Sequence, residues 1–338
     1  MQTQTITVAN FTESFSNKKI LITGGLGFIG SNLAKILVEI GAQVTLVDNL
    51  MPEYGGNIKN IFNFKDKIKV NIADVRDEDS MHYLVRDIDY LFNLAGQTSH
   101  QDSMSDPYTD LDINTKAQLS ILEACRKNNP EIKIVFASTR QIYGKPLYLP
   151  VDEKHPPNPI DVNGINKLAG EQFHILYNNV YGIRSCALRL TNTYGPGMRV
   201  KDARQTFVGI WIKNVLTNKP LLIYGNGKQI RDFIYIDDAI TALLYAALSP
   251  STEGKALNVG GMEKMDLLTL ADLIVKINQS GTSQIVPYPP EEKKIDIGDY
   301  YTDDHLFRSL TCWQPTVVLA EGLKRTIEFY KSNSEYYF

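Results

Sequence analysis

Residues 20–34 read ILITGGLGFIGSNLA: an apolar run, then Gly24, Gly27 and Gly30 at three-residue spacing, then a stretch with helical periodicity. A glycine triplet alone is a weak signal. Directly after a first strand and directly before a helix, it is where a pyrophosphate can meet backbone N–H groups and the positive end of the helix. Phe28 and Ile29 belong to the same turn. Farther on, LVDNL (46–50) puts Asp48 and Asn49 at the end of a second strand, where a carboxylate accepts hydrogen bonds from an adenosine ribose. A carboxylate there repels a 2′-phosphate, and no Arg or Lys follows it directly, so the pattern predicts NAD rather than NADP. ADVRD (73–77) offers Asp74 and Val75 beside the adenine, and NLAG (93–96) offers Leu94, Ala95 and Gly96 as a small-residue strand end that a cofactor can approach.

The same reading extends outward. KILIT (19–23), QVTLV (43–47), KIKVNI (67–72), DYLFNLA (89–95), IKIVFAS (132–138) and SCALRL (185–190) are short apolar runs of the kind that form buried parallel strands. Helix-length segments lie between them, notably 28–40, 108–128 and 161–181. Alternation of this kind predicts a Rossmann-type α/β fold with a doubly wound parallel sheet. After residue 195 the alternation breaks at YGPGMRV and IYGNGKQIRD, and VPYPPEEKKIDIGDYY is rich in proline and charge. Two units are expected: an NAD-binding domain of residues 1–195 plus 234–262, and a smaller lobe of residues 196–233 plus 263–338. LAEGLKRTIEFYK (319–331) reads as an amphipathic terminal helix.

At 338 residues the chain can bury a large core without crosslinks. Its 35 basic and 38 acidic residues leave a net charge of −3 with no long block of either sign, which argues against a nucleic-acid or anionic-membrane partner. No segment approaches the ~18 consecutive apolar residues of a membrane span. The three cysteines, Cys125, Cys186 and Cys312, lack metal-ligand spacing and read as reduced, so a cytoplasmic protein without a metal site is expected.

Taken in order, TGGLGFIG (23–30), NLAGQ (93–97), FASTRQIYG (136–144), LRLTNTYGPG (188–197), IYGNGKQIRDFIYIDDA (223–239) and LTCWQPTVVLAEGLKRTIEFY (310–330) resemble the extended short-chain dehydrogenases/reductases, specifically the nucleotide-sugar epimerases and dehydratases. The resemblance implies a tightly bound NAD and a sugar carried on a nucleoside diphosphate. It implies that Thr139 hydrogen-bonds the reacting sugar oxygen and that Lys167 holds the nicotinamide ribose and assists proton transfer. Asn192 and Arg231 match positions that hold the diphosphate, and an amide and a guanidinium suit that task. Arg204, Gln205 and Thr206 match the lid of the nucleotide pocket, and Asp303 matches an acidic position that contacts a nucleotide ribose. A homodimer paired through helices 108–128 and 161–181 follows from the same resemblance.

Two departures bear on mechanism. The family carries a tyrosine four residues before the lysine, and its phenolate takes the sugar hydroxyl proton; here that position is Asn163. An amide has no ionisation near neutral pH and cannot be a general base. Lys167 serves if burial lowers its pKa from ~10.4 towards 7, a cost on the order of 4 kcal/mol. His100, on the loop after the fourth strand, is the other candidate, with Asn163 left to orient sugar or water. Secondly, sugar 4,6-dehydratases place Asp-Glu after the threonine, where Arg140-Gln141 stand here. Dehydration by that route is not expected, while Arg140 suits a negatively charged sugar substituent such as a carboxylate. The expected activity is epimerisation of a nucleoside-diphosphate sugar at C4 through a transient ketone. Its rivals are a dehydratase, decarboxylase or oxidoreductase of altered mechanism, or a catalytically silent binding protein.

Overall fold

The computed structural model describes residues 8–51, 54–204 and 206–338. A short helix α1 (Val8–Phe15) precedes β1 (Lys19–Thr23), α2 (Phe28–Glu39), β2 (Gln43–Asp48), β3 (Lys69–Ile72), α3 (Glu78–Leu84) and β4 (Tyr90–Asn93). Two short helices, α4 (His100–Ser105) and α5 (Pro107–Leu111), lead through a π-turn (Asp112–Lys116) into α6 (Ala117–Asn128). There follow β5 (Lys133–Thr139), a 3-10 turn (Arg140–Tyr143), α7 (Val162–Tyr181), β6 (Arg184–Leu190), β7 (Asn192–Tyr194), α8 (Phe207–Leu216), β8 (Leu221–Tyr224), β9 (Ile230–Tyr235), α9 (Ile236–Leu248) and β10 (Ala256–Val259). The chain ends in β11 (Glu263–Asp266), α10 (Leu267–Asn278), β12 (Ser283–Val286), α11 (Pro290–Lys294), α12 (His305–Thr311) and α13 (Leu319–Tyr337).

Seven strands form one parallel sheet in the order β3-β2-β1-β4-β5-β6-β10. Alternate residues of β1 feed different cores: Ile20 and Ile22 pack with Leu33, Leu37 and Phe92, whereas Leu21 packs with Val47, Leu91 and Ile121. Burial on both faces is why the strands read as continuous apolar runs. The strand order reverses between β1 and β4, and the crevice outside their carboxyl ends is where such sheets bind ligands. The seventh strand, β10, was not among the runs read as strands; only four residues long, it pairs with β6 from Ala256↔Ala187 to Val259↔Leu190.

The expected helix 108–128 is divided instead by the π-turn. At that turn Asn114 Nδ2 donates to the Gln97 carbonyl at 3.0 Å, and a methyl group at Gly170 of α7 would lie 2.7 Å from the Asn114 carbonyl oxygen. The helix widens where α7 presses closest, a register shift that hydrophobic periodicity does not encode. Helix α7 starts at Asp161, whose carboxylate accepts from Gly164 N at 2.7 Å, and ends at Gly182 with φ +72°.

The later strands form two smaller sheets, β11-β9-β7 and β12-β8, over the carboxyl side of the main sheet. Helix α13 packs on α10, α8 and β9. Among the described residues no helix is long and apolar enough to cross a membrane, no cluster of three or more His, Cys, Asp or Glu side chains is placed for a metal, and the three cysteines are unpaired.

Candidate active site

The crevice between β1 and β4 is lined by Gly24, Gly27, Phe28, Ile29 and Gly30, by Asp48 and Asn49, by Asp74 and Val75, and by Leu94, Ala95 and Gly96. Gly24 sits at φ +68°, and a Cβ there would lie 3.0 Å from Ala95 Cα. A Cβ on Gly30 would lie 2.3 Å from the Gly24 carbonyl, so only glycine lets α2 begin this close to the turn. Asp48 accepts from Leu26 N at 3.0 Å and Leu50 N at 2.9 Å, which fixes its carboxylate facing the crevice. Burial pushes its pKa upward against those bonds. Asp74 accepts from Asn49 Nδ2 at 2.8 Å and from Arg76 Nε at 2.9 Å, and the arginine holds its pKa down at about 2. The neighbouring cation is thereby engaged rather than free for a 2′-phosphate.

Lys167 of α7 reaches across to β5. Its Nζ donates to the Ala137 carbonyl at 2.8 Å and stands 3.2 Å from the position a Cβ on Gly96, a residue of the crevice wall, would take. Burial pulls its pKa down to about 8. Beside it, Asn114 Oδ1 is buried with no hydrogen-bond partner and lies 2.9 Å from that same Gly96 position. A backbone cradle, a carboxylate at the end of β2, a cation and an orphaned buried acceptor together fit a dinucleotide. Asn114 escaped the sequence reading, although an asparagine inside an otherwise apolar helix was its visible signal. Thr139 ends β5, and its Oγ1 accepts from Gln141 N at 3.3 Å, capping the 3-10 turn while its hydroxyl hydrogen stays available.

Asn163 requires a correction. Expected to orient sugar or water, it is 1 % exposed and its amide nitrogen donates to the Gln97 carbonyl at 2.8 Å and to Asp110 Oδ2 at 2.9 Å. Asn166 Nδ2 donates to the other Asp110 oxygen at 2.8 Å. The physical reason is a fully buried carboxylate that needs donors, which a phenol at 163 would supply less well. The Asp303 carboxylate accepts from His305 N at 2.9 Å at the start of α12.

The remaining side chains converge on a second cleft, across from the crevice. Arg140, Asn192, Arg204, Thr206 and Arg231 line it together with His100 and Gln141; Gln205 lies outside the described residues. Arg140 Nη2 donates to Asn192 Oδ1 at 3.2 Å, its guanidinium lies 5.0 Å from the Tyr300 ring centroid, and no carboxylate among the described residues pairs with it. Arg231, buried, donates to the Ile230 carbonyl at 2.9 Å and to the Gly298 carbonyl, and stands 3.6 Å from Asp296. Burial and the nearby Arg140 charge lower its pKa to about 10. Two poorly neutralised guanidiniums in one wall make an anion site. Arg204 pairs with Asp102 at 3.1 Å, and Thr206 caps α8.

Two phenols near these residues in the chain, Tyr143 and Tyr194, are structural. Tyr143 is buried, donates to Asn258 Oδ1 at 2.7 Å and accepts from Arg189 Nη1 at 2.6 Å, and burial pushes its pKa up to about 12. Tyr194, 1 % exposed, donates to the Leu319 carbonyl. Tyrosine and lysine do recur at the family spacing at Tyr224 and Lys228, but across the turn that follows β8 rather than on a helix. His100, by contrast, is one-third exposed in the cleft, with Nδ1 2.5 Å from Asp161 Oδ2 and Nε2 against the Gln141 amide. Burial raises the Asp161 pKa, but the His100 hydrogen bond and charge outweigh it and leave the carboxyl below its ordinary value. Asp161 was also absent from the sequence reading; its position before a helix marked only a cap.

Residues 20–260 match the NAD dependent epimerase/dehydratase family model. A putative UDP-glucose 4-epimerase of Methanocaldococcus jannaschii is 35% identical over 93% of this chain and 99% of its own. A UDP-N-acetyl-alpha-D-glucosaminuronate decarboxylase of Bacillus cytotoxicus is 31% identical over 93% of this chain and 98% of its own. Among solved structures, a UDP-glucuronic acid 4-epimerase from Bacillus cereus, in complex with UDP-glucuronic acid and NAD, superposes with a TM-score of 0.83 at 29% identity, covering 93% of this chain and 99% of its own.

Proposed function

The chain belongs to the NAD dependent epimerase/dehydratase family, and on that premise we propose that it is an NAD-dependent epimerase of a nucleoside-diphosphate sugar, acting at C4 through a transient ketone. One observation carries the reading: the dinucleotide crevice, walled by Gly96 and Thr98, adjoins the arginine-lined cleft, walled by Ser99, His100 and Arg140, with buried Lys167 beside Gly96. The bound NAD supplies the acceptance and later return of a hydrogen with its electron pair. The chain's own groups do the rest. Asp48 reads the adenosine ribose, Lys167 holds the nicotinamide ribose and lends positive charge to the proton transfer, and the Thr139 hydroxyl positions the sugar oxygen. Arg231 and Asn192 hold the diphosphate, and Arg204 and Thr206 border the nucleotide.

The test is incubation with a panel of nucleotide sugars, followed by separation and mass analysis of the product. An epimer of unchanged mass is expected; net loss of water or carbon dioxide, or release of NADH, would replace the reading with a lyase or an oxidoreductase. A second reading concerns the sugar: the unpaired Arg140 favours an acidic substituent, in keeping with the uronate-handling relatives. Under it, Arg140→Met weakens a uronate nucleotide at least tenfold more than its neutral-sugar counterpart, whereas equal loss of both assigns the guanidinium to the diphosphate.

We also propose the division at residues 195, 233 and 262 into an NAD-binding domain and a nucleotide-sugar lobe, a cytoplasmic site of action, and a homodimer. Exposed Leu119 of α6 and Ile165, Leu176, Val180 and Tyr181 of α7 support that pairing, since together they leave apolar surface on the two helices. Sedimentation at twice the chain mass is expected, and Val180→Glu should shift it to monomer.

A further inference from the structure

We propose that His100, oriented by Asp161, is the acid–base group that stands in for the absent phenol, an inference that rests on the epimerase reading and deepens it. Asp161 is 5 % exposed and cannot turn: its Oδ1 accepts from Gly164 N at 2.7 Å to cap α7, while its Oδ2 meets His100 Nδ1 at 2.5 Å. An ionised carboxylate accepts a hydrogen bond from Nδ1–H, which keeps the ring proton on Nδ1 and leaves the Nε2 lone pair for the cleft. The group now facing Nε2 is the side-chain amide of Gln141, two residues from Thr139 on the same turn. Gln141 is neutral, donates to a basic nitrogen, and can be displaced by a sugar hydroxyl held on Thr139.

The other candidates are spent elsewhere. The Asn163 amide nitrogen serves Asp110 and Gln97, Tyr143 and Tyr194 are buried with their hydroxyls bonded, and Lys167 Nζ donates to Ala137 O behind Gly96, on the dinucleotide side. The charged groups around His100 are few. Asp161 precedes α7; Asp102, on its own helix, is paired with Arg204; Arg140 stands on the 3-10 turn; and Glu292 of α11 accepts from Gln101 Nε2 at 2.9 Å. The step balances: the O–H bond breaks and its proton moves to His100 Nε2, while the carbon's hydrogen with its electron pair would be held by the nicotinamide dinucleotide; the hydride then returns to the opposite face of the ketone carbon and His100 Nε2 returns the proton to its oxygen, without net oxidation. His100 touches the reacting oxygen and is catalytic; Asp161 acts through it and is a positioning residue.

The experiment uses the full chain with NAD and the nucleotide sugar that the panel identifies, and compares wild type, H100A, H100Q and D161N. H100A and H100Q are expected to lower kcat by about 10²-fold or more with KM within about threefold, NAD affinity unchanged and partial rescue of H100A by added imidazole. Neutral imidazole is the active form, so kcat/KM of the wild type declines as pH falls, and that acid limb disappears in the His100 variants. D161N should lower kcat at least about tenfold, because the ring is no longer held in its tautomer and orientation. Two-bond 1H–15N spectra of the wild type should show the proton on Nδ1, and D161N should lose that tautomer. Turnover within about threefold of wild type in the His100 variants, an acid limb retained in them, or a wild-type imidazole protonated on Nε2 would overturn the inference alone. Absence of epimerisation in the wild type would overturn the functional reading, and the inference with it.

Discussion

The crevice and the cleft adjoin at Thr98 and Ser99 and are built from different materials. The crevice is made of backbone: Gly24, Gly27 and Gly30 let N–H groups and a helix end approach a ligand, and Asp48 is held by two backbone amides. The cleft is made of side chains drawn from distant elements, with His100 before α4, Arg140 after β5, Asn192 in β7 and Arg231 in β9. A backbone site depends on a local motif and tolerates little change within it. A side-chain site of this kind can change one group while the scaffold stays the same.

The sharpest way to break this contrast is at Gly30. Gly30→Val places atoms where even a Cβ would meet the Gly24 carbonyl at 2.3 Å, so NAD affinity measured by calorimetry should fall by roughly 10²-fold or more, with little change in affinity for nucleoside diphosphate. On the cleft side, Thr139→Val should lower kcat by about 10²-fold while NAD affinity stays within about threefold, because a methyl cannot hold the sugar oxygen. Equal loss of both quantities would mean that the two sites are not separable.

Lys167 joins the regions, and its titration sharpens the comparison. Its folded pKa of about 8 lies below the ordinary 10.5, so between those values the unfolded chain binds the extra proton. Wild-type stability should therefore rise with pH from about 8 to about 10.5 relative to Lys167→Met, by on the order of 3 kcal/mol, as read from denaturant midpoints. A flat difference would show that the amine is not desolvated. The smallest effect expected is at Asn163→Tyr. Restoring the family's phenol leaves Asp110 and Gln97 short of a donor and should cost about 1–3 kcal/mol in thermal unfolding without raising kcat.

The legibility of the site follows the same division. Gly24, Gly30, Asp48 and Asp74 could be placed from the chain alone because each belongs to a short local pattern at or just beyond a strand end, with Gly30 in the first turn of α2. Lys167 was noticed from its resemblance to a family motif, whereas its burial beside Phe136, with Nζ 4.7 Å from the ring centroid, came only with the fold. Asp161 and Asn114 were not: one looked like an ordinary helix cap and the other like an interior helix residue. Their significance depends on what stands opposite them, His100 in one case and Gly96 with Lys167 in the other. Asn163 was noticed as a gap in chemistry, yet its occupation by Asp110 was invisible because the two lie on separate helices.

By itself the sequence determined the parallel α/β architecture, the dinucleotide crevice and the family. Hydrophobic runs and glycine spacing act over a few neighbouring residues, which any reading of the chain can see. The tertiary structure alone decided that a buried carboxylate consumes the amide at 163, that helix 108–128 widens against α7, and that Asp161 aims the His100 ring into the cleft. These depend on distances between residues tens of positions apart, where hydrogen-bond donors must find acceptors once water is excluded.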